Sequence, residues 1–439
     1  MATTGATGSV LVFSDVHFDP FADPALVPAL AAADVSQWKS LFAASGQTAF
    51  SAYGTDTDYS LFESALDSMA RTAPGADLII FPGDALAHGF WSKYPDLTGD
   101  ASEAGLESFI QKTVTFFVGE VDSRFPDATV LWTIGNNDSA NGDYKSAPGD
   151  AYFSLTAPAV AAAFLRHDAD RAAFLTGYSQ GGYYALEPDG PTGIKYVVLN
   201  DIYWSEKSEE TAAGVMELAW FAGELADAAR DFQKVWVVTH IPVGADAKSV
   251  ADKVEAGDAA AYKGLLADGF NNAFVALETA YSATIAATFT GHTHRDEFRL
   301  VSFDAATAPT ELASVSLSIS PVDGNNPGYE IYAYDTASGA LLDKTTYSLD
   351  LAAPGSGWSL EYDFAAVYGH GLATPGDWLH VAGGVMLDPV SQAAYANYYT
   401  AQADTEAAVS AQTLPVYWLA MTNATASGYA AASALLAAS

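Results

Sequence analysis

Residues Ser9–His17 read SVLVFSDVH, a run of apolar residues that ends in an aspartate and a histidine two positions apart. The run has the length and composition of a buried β-strand. Asp15 and His17 follow it directly, and side chains two positions apart on an extended chain point to the same side. This stretch therefore predicts a core strand that presents a carboxylate and an imidazole together at its carboxyl end.

The same arrangement recurs four times further along the chain. Each of four short apolar segments, at Asp77–Phe81, Thr129–Ile134, Lys234–Thr239 and Thr284–Thr290, is followed by a polar cluster. In that order, the clusters are Gly83-Asp84, Gly135-Asn136, His240 and Gly291-His292-Thr293-His294. Open α/β folds place their ligand sites at the carboxyl ends of strands, so we expect the five clusters to converge.

Helical segments between the strands define the predicted fold class. Tyr59–Thr72 has apolar residues at helical spacing, and Glu103–Val121 and Glu217–Phe232 are further predicted helices. Strands that alternate with helices predict an α/β fold, here a β-sandwich flanked by helices. After about residue 295 we predict antiparallel strands. They are Leu312–Ser320, Tyr329–Tyr334 and Lys344–Ser348.

The C-terminal part differs in composition from the rest. Beyond about Gly355 the chain is rich in alanine and aromatic residues, with predicted helices at Pro389–Ala407 and Tyr429–Ala438. We therefore predict a main domain at residues 8–350, which carries all five clusters, and a small, mainly helical subdomain at residues 351–439.

Composition excludes several classes of protein. The 53 acidic residues against 18 Lys and Arg give a net charge of -35, which disfavours nucleic acids and anionic membranes as partners. No apolar run approaches the roughly 18–20 residues of a membrane span. The chain has no cysteine, so disulfides, thiolate metal sites and cysteine nucleophiles are excluded.

The five clusters together have the composition of a binuclear metal site. They supply two Asp, one Asn and four His, the mixture of oxygen and nitrogen ligands that borderline divalent metals bind. The predicted ligands are Asp15, His17, Asp84, Asn136, His240, His292 and His294. A single His or Asp after a strand is more often structural, but five such clusters in succession favour a metal site.

These clusters resemble those of the calcineurin-like metallophosphoesterases, and other stretches resemble the acid sphingomyelinase-like phosphodiesterases within that superfamily. The likeness runs from about Val10 to Tyr362. The stretches are Tyr53-Gly54-Thr55-Asp56, Ser64-Ala65-Leu66, Gly83–His88, Gly181-Gly182-Tyr183-Tyr184, Leu199-Asn200, Ser320-Pro321 and Gly324–Tyr329. The run Gly135–Asp138 is also similar to that of fungal endopolyphosphatases.

The resemblance implies a ligand set and a mechanism. It implies that Asp15, His17, Asp84 and His294 hold one ion, and that Asp84 bridges to a second ion held by Asn136, His240 and His292. It also implies that a hydroxide shared by the two ions attacks phosphorus. Zinc is the favoured metal, with Mn, Fe or Co as alternatives.

Two features depart from the family pattern. Asn137 stands where the superfamily usually has a histidine that contacts the phosphate or protonates the leaving group. We therefore predict that His88 is the general acid and Asn137 a neutral phosphate donor, with a purely supporting role for His88 as the alternative. The cysteine framework of the secreted animal relatives is missing, and Thr55 stands where they usually have Cys.

We therefore predict a binuclear metal-dependent hydrolase of phosphodiesters or nucleotide phosphoanhydrides with a small, soluble substrate. The alternatives are a phosphomonoesterase or polyphosphatase, and a non-catalytic metal-binding homologue. We expect a secreted or periplasmic bacterial protein whose signal peptide is absent from this chain, with a cytoplasmic location as the alternative. The sequence does not predict the oligomeric state.

Overall fold

The computed structural model describes residues 6–187, 193–258, 261–302, 308–405 and 409–438. Its strands, in chain order, are β1 (Thr7–Val12), β2 (Leu78–Phe81), β3 (Thr129–Trp132), β4 (Tyr184–Leu186), β5 (Ile194–Val198), β6 (Lys234–Val238), β7 (Ile285–Thr290), β8 (Glu297–Val301), β9 (Glu311–Val315), β10 (Gly328–Asp335), β11 (Leu341–Ser348) and β12 (Ser359–Asp363). Within these ranges the strands form two six-stranded sheets. The first has the order β12-β11-β10-β1-β2-β3 and the second β4-β5-β6-β7-β9-β8.

The helices surround the two sheets. In chain order they are α1 (Val27–Ala32), α2 (Trp38–Ser45), α3 (Tyr59–Thr72), α4 (Phe90–Thr98), α5 (Glu103–Arg124), α6 (Ala151–Phe164), α7 (Asp168–Gly181), α8 (Thr211–Arg230), α9 (Ala247–Glu255), α10 (Asp268–Ala280), α11 (Phe364–Tyr368), α12 (Pro375–Leu387), α13 (Pro389–Tyr398), α14 (Leu414–Thr422) and α15 (Ala426–Ala438). The predicted helix at Tyr59–Thr72 has the bounds of α3. Its first turn is capped by Asp58, whose side chain accepts from the backbone N–H of Leu61 at 2.8 Å.

The two sheets pack face to face through aromatic side chains. Trp236 of β6 lies 4.8 Å from Tyr334 of β10, and Phe289 of β7 lies 5.6 Å from Tyr332, both measured between ring centroids. Alternate residues of β6 point the other way, because Val235 and Val237 belong to a second apolar cluster that includes helices α8 and α10. The predicted α/β sandwich flanked by helices is thus confirmed.

The sheet topology brings the polar clusters to one edge. In the first sheet β1, β2 and β3 are parallel neighbours, and in the second sheet β5, β6, β7 and β9 are parallel neighbours. Each predicted ligand cluster follows one of these parallel strands, namely β1, β2, β3, β6 and β7. The carboxyl ends of these strands therefore supply ligands from both halves of the sandwich.

The predicted antiparallel strands after residue 295 are only partly correct. β10 and β11 form the expected antiparallel pair, but β9 lies in the other sheet, parallel to β7 and antiparallel to β8. The following residues cross between the sheets, since Ser318 bridges to Ser14 and Ile319 donates its backbone N–H to the Ser14 carbonyl. Alternation of apolar residues indicates a strand but carries no information about which sheet it joins.

The C-terminal residues are mainly helical but also extend the first sheet. β12 pairs with β11, and the helices α11 to α15 follow it. The helix predicted at Pro389–Ala407 ends at Tyr398, and Ala401 and Gln402 in the following turn have positive φ angles of 52° and 60°. The boundary at residue 350 stays a prediction.

Candidate metal centre

The backbone at the predicted ligands is unusual. Among the described residues nine non-glycine residues have positive φ, and five of them are predicted ligands. These are Asp15 (48°), His17 (44°), Asp84 (57°), His292 (72°) and His294 (62°). A left-handed conformation costs a non-glycine residue on the order of 1–3 kcal/mol, and such strain concentrates at functional sites. The strain here lies where the sequence predicts a site.

The first group of side chains is Asp15, His17 and His294, all buried. Nε2 of His17 lies 3.1 Å from Nε2 of His294, and Oδ1 of Asp15 lies 3.4 Å from that His294 nitrogen. Two nitrogen ligands each about 2.1 Å from one ion lie about 3.0–3.4 Å apart at the usual coordination angles. The spacing of these three side chains fits a shared ion.

The second group is Asn136, His240 and His292. Oδ1 of Asn136 lies 3.1 Å from Nε2 of His240 and 2.9 Å from Nδ1 of His292, and those two nitrogens are 3.2 Å apart. The side-chain amide nitrogen of Asn136 donates to Oδ1 of Asp143 at 2.7 Å. The amide is thereby oriented so that its oxygen, the atom able to bind a metal, faces the two histidines.

Asp84 lies between the two groups. Its Oδ2 is 3.4 Å from Nε2 of His17 in the first group and 3.4 Å from Nε2 of His240 in the second. A single carboxylate oxygen thus lies at equal distance from one imidazole of each group. The seven predicted ligands therefore come together as two overlapping sets that share Asp84.

Backbone carbonyls fix the tautomers of two histidines. Nδ1 of His17 donates to the Leu86 carbonyl at 3.0 Å, and Nδ1 of His240 donates to the Pro82 carbonyl at 2.9 Å. A carbonyl can only accept, so each Nδ1 carries a proton, and Nε2 is the nitrogen that faces the other ligands. Outer hydrogen bonds of this kind are typical of metal-binding histidines.

The pKa values in this cluster reflect burial and two carboxylates. Burial lowers the pKa of His17 to about 4 and that of His292 to about 3. Burial also acts to lower the pKa of His240, but the charge and hydrogen bond of Asp84 outweigh it and raise that pKa to about 10. The pKa of Asp84 is held well below its usual value, mainly by His240 and His17 against the effect of burial. The centre thus combines the ionised Asp84 with neutral imidazoles at His17 and His292, whereas His240 holds a second proton that a bound metal ion would displace. Carboxylate and imidazole donors together fit divalent metal ions.

Asn137 contacts the bridging carboxylate. Its backbone N–H donates to Oδ1 of Asp84 at 2.8 Å, and its side-chain Nδ2 donates to Oδ2 at 3.1 Å. Asn137 is buried. Both of its donors are directed at Asp84, whereas the sequence predicts that Asn137 donates to phosphate.

His88 lies beside the first group with its side chain 46% exposed. Its ring stacks on that of His17 at a centroid distance of 4.1 Å, and its Nδ1 lies 2.7 Å from Oδ1 of the buried Asp56. The backbone N–H of His88 donates to the other oxygen of the same carboxylate at 3.0 Å. Asp56 therefore fixes the ring, and the second ring nitrogen of His88 is left to meet solvent or substrate.

Two buried carboxylates support the ligand loops, and sequence reasoning did not single them out. Asp138 accepts from the backbone N–H groups of Ala85, Leu86 and Gly135, each at 3.0 Å. Asp201 accepts from the backbone N–H groups of His240 and Ile241 at 3.2 and 2.8 Å. Both were within reach of motif analysis, because Asp138 ends the Gly-Asn-Asn-Asp run and Asp201 follows Leu199-Asn200.

Three other neighbours of the site come from loops without a recognisable pattern. Tyr144 places its hydroxyl 3.3 Å from Nε2 of His292, and the Lys207 ammonium lies 3.9 Å from the centre of the Tyr144 ring. Asp323 places Oδ2 3.6 Å from Nδ1 of His294. No sequence signal distinguishes these positions from other polar loop residues.

A cavity of about 600 Å³ opens beside the centre. His292 forms part of its wall, together with Asp323, Tyr53 and Tyr399, and the buried Arg295 lies in the same wall. This volume falls in the range of small-molecule sites in proteins. The cavity gives a small ligand room next to the candidate ligands.

Comparisons with known proteins show the family of the chain. The family model described as calcineurin-like phosphoesterase matches residues 8–296. Acid sphingomyelinase-like phosphodiesterase 3b of Homo sapiens is 26% identical over 334 residues, which cover 72% of this chain and 67% of the human protein. Sphingomyelinase phosphodiesterase D of Dictyostelium discoideum is 26% identical over 327 residues, which cover 72% of this chain and 66% of that protein.

A cyclic GMP-AMP phosphodiesterase of Rattus norvegicus is 26% identical over 340 residues, which cover 72% of this chain and 70% of that protein. The matched segments thus span about two thirds of the relatives' own lengths. Among solved structures, a dimetal phosphatase from Danio rerio is 13% identical with a TM-score of 0.41, covering 77% of this chain and 95% of that chain. The predicted resemblance to the acid sphingomyelinase-like group is confirmed by these relatives. Because the family model covers well over half of its residues, the chain belongs to the calcineurin-like phosphoesterase family.

Proposed function

We propose that the chain is a binuclear metal-dependent hydrolase of phosphodiesters or nucleotide phosphoanhydrides. The observation that carries this proposal is the position of Asp84, whose Oδ2 lies 3.4 Å from one imidazole of each ligand group. A site for a single ion does not require a carboxylate at equal distance from two separate sets of ligands. Membership of a phosphoesterase family gives the reaction class.

Each ion has its own ligands in this proposal. Asp15, His17 and His294 would hold one ion, Asn136, His240 and His292 would hold the other, and Asp84 would bind both. Bound metal would supply an activated water as the nucleophile and positive charge to neutralise the phosphate oxygens. Nitrogen and oxygen ligands suit zinc, with Mn, Fe or Co as alternatives.

The protein's own residues orient the centre and move a proton. Asn137 holds both oxygens of Asp84 with its two donors, which fixes the carboxylate in the bridging position. His88 is the general acid in this proposal. Asp56 binds one of its ring nitrogens, so the other can give a proton to the leaving oxygen. The stack of His88 on His17 keeps that acid beside the first ion's ligands.

Charge argues for a small substrate. A net charge of -35 repels a long polyanion on approach, whereas a monoanionic phosphodiester meets much less repulsion. The cavity beside His292 has room for a group of small-molecule size.

No helix in the described ranges is long and apolar enough to cross a membrane. The predicted location outside the cytoplasm stays a prediction.

Metal analysis combined with three substrates tests the proposal. The purified chain is loaded with Zn or Mn, bound ions are counted, and turnover is measured on bis-p-nitrophenyl phosphate, p-nitrophenyl phosphate and polyphosphate. We expect two ions per chain and the fastest turnover on the diester. Asp84→Asn is the matched variant, and it should reduce both ion binding and turnover. Two bound ions without turnover on any ester would instead identify a non-catalytic binding protein.

A polyphosphatase or phosphomonoesterase is the second candidate. The observation in its favour is the Gly-Asn-Asn-Asp run at Gly135–Asp138, which is similar to that of fungal endopolyphosphatases. The same three-substrate assay separates the candidates. Faster turnover of polyphosphate than of the diester would identify a polyphosphatase, and faster turnover of the monoester would identify a phosphomonoesterase.

A further inference from the structure

His294 differs from the other candidate ligand histidines in what its outer nitrogen meets. The outer nitrogens of His17, His240 and His292 each face a neutral oxygen. Nδ1 of His294 is buried and has no hydrogen-bond partner among the described residues. Oδ2 of Asp323 lies 3.6 Å from it, which is an ion-pair distance rather than a hydrogen bond. His294 is therefore the one candidate ligand histidine whose outer nitrogen faces a carboxylate.

The backbone around Asp323 is held in place by several hydrogen bonds. Arg295, the residue after His294, donates to the Asp323 carbonyl at 2.8 Å and to Oδ1 of Asn325 at 3.2 Å. On the other side Thr405 donates to the Gly324 carbonyl at 2.6 Å. Successive residues of one loop, His294 and Arg295, thus contact the side chain and the backbone of Asp323. The backbone that carries the carboxylate is therefore fixed beside His294.

Among the described residues the carboxylate of Asp323 makes no second ion pair, although the charge of Arg295 also acts on it and helps to keep its pKa low. Across the described ranges the ion pair found for it is the one with His294. Arg295 reaches the Asp323 backbone carbonyl instead of the carboxylate. The Asp323 side chain is 53% exposed and lies in the wall of the cavity beside the centre. Nδ1 of His294 is thus a buried nitrogen without a hydrogen bond, and the Asp323 carboxylate lies beside it. Leaving a buried donor unpaired costs about 1–3 kcal/mol, so the nearby carboxylate reduces that cost.

We propose that Asp323 is a positioning residue of the metal centre. Its charge, 3.6 Å from Nδ1 of His294, favours the ring orientation in which Nδ1 holds a proton and Nε2 faces Asp15 and His17, and it strengthens His294 as a ligand. The inference rests on the ligand assignment in the proposed function and adds a difference between the two ions. Of the two proposed ions, the one bound by Asp15, His17 and His294 has a ligand histidine whose outer nitrogen faces a carboxylate. Asp323 therefore raises the affinity of the protein for that ion.

The test measures retention of metal rather than activity. Wild type and the variants Asp323→Ala, Asp323→Asn and Asp323→Glu are loaded with zinc and titrated with a chelator, and the ions kept per chain are counted. Asp404→Asn is the matched control, since Asp404 is another exposed acid and lies outside the metal centre. Thermal unfolding of each metal-free variant checks that the fold is intact.

We expect one of the two ions to leave Asp323→Ala at a chelator concentration about 10–100-fold lower than wild type requires. The chelator concentration needed for Asp323→Asn should lie between those for wild type and Asp323→Ala, because asparagine keeps the shape of the side chain and loses its charge. Asp323→Glu should retain nearly as much metal as wild type. The control should behave as wild type. Metal-free variants should unfold at the wild-type temperature.

Two results would overturn the inference, and a third would contradict the proposed function alone. Unchanged retention of both ions in Asp323→Ala overturns it, even if turnover falls, because Asp323 would then act on the substrate. Wild type that binds two ions and shows no turnover contradicts the proposed function and leaves the retention comparison valid. Wild type that binds no ion overturns both proposals.

Discussion

Asn137 donates two hydrogen bonds to Asp84, one from its backbone N–H to Oδ1 at 2.8 Å and one from its side chain to Oδ2 at 3.1 Å. The residue that stands in place of the superfamily's usual histidine thus holds Asp84, the proposed bridging ligand, through both carboxylate oxygens. The hydrogen bond from the backbone survives any substitution except proline, whereas the one from the side chain is lost in Asn137→Ala.

Asn137→Ala tests this relationship. Hydrogen bonds to charged groups contribute about 1.5–3 kcal/mol, and Asp84 is buried, so the free energy of unfolding of the metal-free protein should fall by about that amount. Urea unfolding in the presence of a chelator measures it. An unchanged free energy of unfolding with a large loss of turnover would mean that Asn137 acts on the phosphate, as the sequence predicts.

Gly291→Ala should damage the centre through a steric clash. A Cβ at this position would lie 2.2 Å from Oγ of Ser14 and 2.5 Å from Oδ2 of Asp15, which is too close for either atom to stay in place. We expect a loss of metal binding and a fall of at least about 2 kcal/mol in unfolding free energy. Metal counting and urea unfolding measure the two effects.

Gly119→Ala is the matched control for that substitution. Gly119 lies in α5, and a Cβ there would meet nothing within 4 Å. Because alanine is the better helix former, the free energy of unfolding of this variant should rise by about 0.5–1 kcal/mol, and metal binding should be unchanged. Equal behaviour of the two glycine variants would contradict the role assigned to Gly291.

His88→Ala should affect substrates according to their leaving groups. An alkyl phosphodiester needs its leaving oxygen protonated, so we expect turnover to fall about 10²–10⁴-fold. A p-nitrophenyl ester leaves as a stable anion and should lose far less. Steady-state kinetics on both substrates make the comparison. An equal loss on both would assign His88 to support of His17, on which its ring stacks.

The buried pair Glu278 and Glu311 should make stability fall as pH rises. Burial raises the pKa of Glu311 to about 8, and burial together with the charge of Glu311 raises the pKa of Glu278 well above its usual value. Between the unfolded pKa of 4.5 and about 8, the folded chain therefore holds protons that the unfolded chain has lost. Each such proton lowers stability by about 1.4 kcal/mol per pH unit through this window.

Glu278→Gln isolates that effect from the repulsion of the whole acidic chain. The variant should match wild type near pH 4.5 and be the more stable protein at pH 8, because it has one ionisable group fewer in the buried pair. Glu206→Gln removes one negative charge at an exposed position and serves as the control. Urea unfolding across the pH range measures all three proteins. Parallel pH profiles for wild type and Glu278→Gln would contradict the prediction.

The candidate ligand set was predictable because every candidate ligand follows one of five parallel strands within two to five residues. Local patterns of apolar residues reveal such strands, and the carboxyl ends of parallel strands meet by topology. The supporting residues were not predictable in the same way. Asp143 and Asp323 reach Asn136 and His294 from loops, where no periodicity marks them. Their roles depend on how separate loops approach one another in three dimensions.

The strand β8 shows a second limit of sequence reasoning. Glu297 and Arg299 are charged, yet every residue of Glu297–Val301 is buried, and the two side chains pair with each other at 3.0 Å. An apolar pattern therefore did not reveal the strand. The sheet that β9 joins was missed for a related reason, since pairing between strands is decided by contacts far apart along the chain.

The origin of the ligands in both sheets has a mechanical consequence. Asp15, Asp84 and Asn136 follow strands of the first sheet, whereas His240 and His292 follow strands of the second. Two bound ions would tie the halves of the sandwich together at one edge, in a chain that has no disulfide to do so. A force that shears one sheet past the other must then break coordination bonds before the apolar faces can separate. Metal loading should therefore raise the rupture force of a single molecule pulled in that direction.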